Sequence, residues 1–153
     1  MPTLMLYDAL RESHERQRSL CKRLLRTKAI GNQRRDLFKE LRLELEAHAA
    51  AEERYLYAVM LMCDEGLHSS RHALAEHHDI EELVEDLRVV TRAGRSWMAT
   101  AQKLSKKVHH HLREEEKKFF QVSGKILTQA QKKTLGVQYV ADYERMKKVL
   151  ENR

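Results

Sequence analysis

The chain has 153 residues, 42% of them hydrophobic and 34% charged, with five glycines and one proline; that composition suits one largely helical globular domain and excludes a disordered or fibrous protein. Its longest apolar run, "YLYAVMLMC" from Tyr55 to Cys63, is far short of the roughly 20 residues a membrane span needs, and the N-terminus "MPTLMLYDALRESHERQ", with Asp8 and Glu12, does not read as a secretory signal. The net charge of +6 admits an acidic or nucleic-acid partner, while two cysteines, Cys21 and Cys63, make no disulfide framework and point to a reducing, cytoplasmic setting.

Loop signals fall at "IGN" (30–32), "CDEGLHSS" (63–70), "AGRS" (93–96) and "VSGK" (122–125). Between them apolar residues recur three and four apart, the period of amphipathic helices. Helices are therefore predicted over about 4–28, 33–62, 70–92 and 96–122, with Ser70 and Ser96 as N-caps of the last two. The tail, about 126–150, reads as two shorter helical pieces broken at Gly136. Long helices on short loops predict an all-α fold, an up-down-up-down four-helix bundle with a C-terminal helical extension, in a single domain over 1–153.

Each predicted helix carries an inward seam. In the first it runs Tyr7, Leu10, His14, Gln17, Cys21, Leu24. The same helix holds "RQRSLCKRLLRTK", Arg16 to Lys28, in which six of thirteen residues are basic; no aromatic residue interleaves with them, so this reads as a solvated face rather than a nucleic-acid surface. The second seam is Leu41, Leu45, His48, Glu52, Tyr55, Val59, Met62. In the third, His77 continues through Ile80, Val84 and Leu87, whereas His78 shares the opposite face with Glu81 and Glu85. The fourth, Leu104, Val108, His111, Glu115, Phe119, Val122, picks out of "HHHLREEEKK" only His111 and Glu115 as inward; His110 and Glu114 fall on the polar face.

The inward ionisable residues repeat. An offset of 63 carries His14 to His77, His48 to His111 and Glu52 to Glu115, and also Leu20 to Leu83 and Leu24 to Leu87. Burying four imidazoles and two carboxylates is costly unless they share a partner. His and Glu at i and i+4 lie one turn apart on one side and can reach one cation. Imidazole suits Fe, Zn, Cu or Ni; four nitrogens with two bridging carboxylates fit two irons best. A competing reading is a metal-free basic helical adaptor for acidic partners or nucleic acid, which metal content separates from the first. Tyr55, one turn beyond Glu52, is a candidate hydrogen-bond partner for that carboxylate, and Cys21 is expected to be a small core residue.

Through "LYDALRESHERQRSLCKRLL", "LRLELEAHAAAEERYLYAVM", "ALAEHHDIEELV" and "HHHLREEEKKFF" the chain resembles the hemerythrin-like, HHE cation-binding proteins over about 4–150. The resemblance implies His14, His48, Glu52, His77, His111 and Glu115 as ligands of two non-haem irons, with Glu52 and Glu115 bridging them beside an oxo or hydroxo bridge. It also implies a small diatomic ligand or peroxide as partner, and a redox partner protein. Ferritin-like di-iron bundles use Glu-x-x-His, with Glu first; here His comes first. Oxygen-carrying hemerythrins have a His-x-x-x-His pair in the third helix, where this chain has Ala73; His72 lies about 140° away around the helix and is expected at the surface or behind a ligand. Glu116 occupies the place of the carriers' helix-four aspartate and is expected to face away. These departures resemble members associated with redox, nitric oxide or iron handling more than a reversible oxygen carrier. The ligand set is common to peroxidase or oxidase turnover and to binding or sensing.

Overall fold

The computed structural model describes residues 5–90 and 92–152. Among these residues every regular element is helical. Helix α1 spans Leu6–Leu25. The second long helix is α2 (Gln33–Glu52), a π-helical turn (Glu53–Tyr57) and α3 (Ala58–Leu61). Helix α4 spans Asp64–Val89; α5 (Arg95–Glu114) runs through a second π-helical turn (Glu115–Phe119) into α6 (Phe120–Ile126), and α7 spans Gln129–Glu151. No helix among the described residues is long and apolar enough to cross a membrane.

Three boundaries differ from expectation. Helix α4 starts at Asp64 rather than after Ser70, because extended Cys63 takes the cap position and Asp64 and Glu65 place negative charge in the first turn, where the helix dipole favours it. Ser70 sits inside the helix and donates to the Gly66 carbonyl at 2.7 Å. Helix α5 is capped by extended Gly94, leaving Ser96 in its first turn. Helix α7 is unbroken at Gly136: it opens with a reciprocal capping box between Thr128 and Gln131, and one interior glycine costs only about 1 kcal/mol, offset by burial of Leu135, Tyr139 and Tyr143.

The two π turns matter most. Each holds one extra residue per turn, so every seam position beyond it shifts around the axis. After Glu52 the buried residues are Leu56, Tyr57 and Met60; Tyr55 and Val59 are only half-buried and Met62 is 86% exposed, against the predicted seam. After Glu115 the buried residues are Phe119, Phe120 and Ser123, while Val122 is half-buried.

The apolar core forms two clusters, one including Leu6, Leu10, Leu56, Met60, Phe119 and Tyr139, the other Leu24, Leu41, Leu87, Trp97, Leu104 and Leu112. Helices α1 and α4 run from the first cluster toward the second, α2 and α5 from the second toward the first. In each of the four, the inward histidine falls where the chain passes between clusters. A polar layer is thereby sandwiched between two dry ones, which is where burial makes unpaired charge most expensive.

Candidate metal centre

The layer brings all six sequence-predicted ligand residues together. His14, His48, Glu52 and Glu115 each offer a donor atom within 4.8 Å of one another, and so do Glu52, His77, His111 and Glu115. The two groups share both carboxylates. Glu52 Oε1 lies 3.2 Å from Nε2 of His48 and 3.2 Å from Nε2 of His77; Glu115 lies 3.4 Å from Nε2 of His14 through Oε1 and 3.4 Å from Nε2 of His111 through Oε2. Each carboxylate therefore spans one histidine of either group.

All four rings turn Nε2 inward because Nδ1 is held from outside. His14 Nδ1 donates to Glu116 at 2.7 Å, His77 Nδ1 to Glu53 at 2.9 Å and His111 Nδ1 to Glu76 at 3.0 Å. His48 Nδ1 lies 2.7 Å from the Tyr139 hydroxyl. Such outer partners fix ring orientation and raise ligand basicity at metal sites. Meanwhile Nε2 of His14, His48 and His111, Oε2 of Glu52 and Oε1 of Glu115 are buried with no hydrogen-bond partner among the described residues. Orphaned donor atoms converging from four helices are what a bound cation would satisfy. The residues present thus fit a pair of metal ions.

Electrostatics agree. Burial pushes the His14 and His77 rings toward neutrality, but the carboxylates close to them, Glu115 and Glu116 for His14 and Glu52 and Glu53 for His77, outweigh it and raise them to about 9 and about 10. Burial likewise opposes ionisation of Glu52, yet His48 and His77 hold its carboxyl well below the usual range. The centre thus attracts positive charge, as protons or as metal.

Two expectations are corrected. Tyr55 does not reach Glu52; Tyr57 does, donating to Glu52 Oε1 at 2.8 Å and making a shorter bond to Glu115 Oε2, with His77 Nε2 at 3.3 Å. The extra residue of the π turn brings position 57, not 55, back over Glu52. Burial first, then the two carboxylates, push the Tyr57 phenol well above its ordinary value, so it remains an O–H donor. Glu116 does not face away: the second π turn aims it at His14, and Arg18 clamps its other oxygen at 2.7 Å. The 63-residue offset maps Glu53 onto Glu116, so the repeat carried this signal. No comparable signal marked Tyr139, which comes from α7.

His72 is half exposed, 3.5 Å from Glu76 and 3.1 Å from Glu114, and so stands behind the partner of His111. Of the adjacent histidines, His78 and His110 are exposed and paired with Glu82 and Glu114 on their own helices. His109 Nδ1 turns back to the Ser105 carbonyl at 2.8 Å. Cys21 is buried, and burial pushes its thiol up to about 12, as befits a core residue.

The fold is shared with a known structure. A Hemerythrin HHE cation binding domain-containing protein from Mycobacterium kansasii superposes with a TM-score of 0.86 at 20% identity, covering 95% of this chain and 89% of that one. No curated protein matches the sequence. The hemerythrin HHE cation binding domain family matches residues 5–122, the stretch from α1 into the start of α6 that carries the six converging side chains, and the chain belongs to that family.

Proposed function

We propose that this centre holds two non-haem irons, with His14 and His48 on one, His77 and His111 on the other, and Glu52 and Glu115 bridging both beside an oxo or hydroxo bridge. The protein is then a cytoplasmic di-iron protein that binds or reacts with dioxygen, peroxide or nitric oxide. The observation that carries the reading is the set of inward, unpartnered Nε2 and carboxylate atoms, every ring anchored from behind. Bound iron supplies open coordination positions and exchangeable electrons.

The chain supplies the rest. Two apolar layers keep bulk water from the polar one. Tyr57 holds one O–H between the two carboxylates, the sole phenol touching both among the described residues, where it can hydrogen-bond a small ligand or deliver a proton. A cavity of about 360 Å³ lined by His48, His77 and His111, and by Ala49, Ala50 and Ile80, offers a small molecule a way in between α2 and α4.

The adaptor reading loses ground because its basic segment is partly spent inside the molecule: Arg18 pairs with Glu15 and Glu116, and Arg16 lies 3.4 Å from Glu44. Purification from iron-supplemented cells, with metal analysis and an ultraviolet-visible spectrum, tests the proposal. About two irons per chain and ferric absorption are expected. A folded preparation free of iron and every other transition metal would overturn it.

A further inference from the structure

A second group of metal-ligating side chains lies outside the inner layer. His72 and Glu76, one turn apart on α4, meet His110 and Glu114, one turn apart on α5. His72 Nε2 lies 3.1 Å from Glu114 Oε1 and 3.5 Å from Glu76 Oε1; His110 Nε2 lies 2.9 Å from Glu114 Oε2 and 3.9 Å from Glu76 Oε2. Ligand atoms of His72, Glu76 and Glu114 all fall within 4.8 Å of one another. These are the separations of donors around one ion held at about 2.0–2.2 Å. The arrangement repeats the His-x-x-x-Glu spacing of the inner centre, displaced by one position in "HHHLREEE".

The cluster is joined to that centre. A cavity of about 320 Å³ is lined by His72, Glu76 and Glu114 and also by His111 and Glu115, whose Nε2 and Oε1 are buried without a partner. Ala73 lines it too. A long side chain at that position would occupy the space; alanine leaves it open. Glu76 connects the two sites directly, since the carboxylate facing His72 also accepts from His111 Nδ1. His72 and His110 are about half exposed, with side-chain exposures of 51% and 54%, so an ion bound there keeps water and exchanges readily. Lys107, 3.6 Å from Glu76, occupies part of this field but has Asp79 at 3.4 Å to fall back on.

We propose that His72, Glu76 and Glu114, with His110 beside them, form a separate, weaker site for one divalent transition-metal ion, through which ferrous iron reaches the inner pair past Ala73. The loading role rests on the di-iron reading; the site itself does not. Titrating metal-free, full-length protein with Co²⁺ under anaerobic conditions, followed by visible absorption and equilibrium dialysis, should give two tight ions and one weaker. The double variant H72A/E114Q should lose the weaker ion and keep the tight pair. Its Fe²⁺ uptake should slow at least tenfold while final iron content is unchanged, with circular dichroism checking the fold. The A73L variant, with its fold checked in the same way, should keep the weaker ion yet load slowly. Saturation of the wild type at two ions, a third ion retained in H72A/E114Q, or unchanged uptake would overturn the proposal. Binding of the weaker ion alone would sink the inner pair and the loading role together, leaving only the outer site.

Discussion

His14 and Glu116 are joined by a 2.7 Å hydrogen bond from ring Nδ1 to carboxylate, across 102 positions of sequence. The pair His77 and Glu53, at 2.9 Å, is its counterpart under the 63-residue offset. The repeat is thus reciprocal: each half of the molecule orients a histidine of the other. Removing either carboxylate frees a ring that must otherwise present Nε2 inward. Glu116→Ala and Glu53→Ala should each weaken metal binding about 10–100-fold in chelator competition. Glu15→Ala, which removes only an exposed partner of Arg18, should leave it unchanged; equal losses from all three would mean a general electrostatic effect instead of ring orientation.

Tyr57→Phe deletes an O–H that touches both Glu52 and Glu115. Metal content should stay near two per chain, while the visible spectrum and the rate of reaction with peroxide change. Tyr55→Phe should alter neither, because that ring packs only at the edge of the apolar cluster. The reverse pattern would put Tyr55, not Tyr57, over Glu52.

Adjacent histidines give internal controls for ligand assignment. His77→Ala and His111→Ala should lose tightly bound metal, and His78→Ala and His110→Ala should retain the inner pair, since the latter two are exposed. Metal analysis after gel filtration reads the difference.

In the metal-free protein His14 and His77 have folded-state values of about 9 and about 10, above the ordinary 6.5. A raised folded value stabilises the protein fully below the unfolded value and loses that contribution as pH rises through the folded one. The melting temperature of chelator-treated protein should therefore fall between about pH 7 and pH 10. Metal-loaded protein should show a flatter profile there, because bound cations replace those protons; loading at neutral pH should accordingly release protons into an unbuffered solution. A flat profile for both forms would contradict this account.

Ala73 carries no fifth imidazole, and it lines an open cavity beside His111 and Glu115. Reduced, iron-loaded protein should oxidise rapidly in air to a stable ferric form that reacts with peroxide, and nitric oxide should bind the reduced form. Stopped-flow mixing with oxygen checks this: repeated release of intact oxygen under vacuum would identify a carrier.

The sequence by itself determined the helical architecture and the six converging side chains, because both depend on a local period. Where the helix is regular, 100° per residue places Leu41, Leu45, His48 and Glu52 on one face, and it separates His77 from His78 and His111 from His110 with no knowledge of the partners. The same reasoning failed at particular positions beyond Glu52 and Glu115, where each π turn inserts a residue, exposing Met62, bringing in Tyr57 in place of Tyr55 and turning Glu116 toward His14, although Phe119 is buried as expected. Only the tertiary structure decided what stands behind each ring. Tyr139 reaches His48 from a helix 91 positions away, and Glu76 reaches His111 across the α4–α5 contact. Those distances follow from how whole helices pack, and packing is set by every buried side chain at once, so no local spacing encodes it.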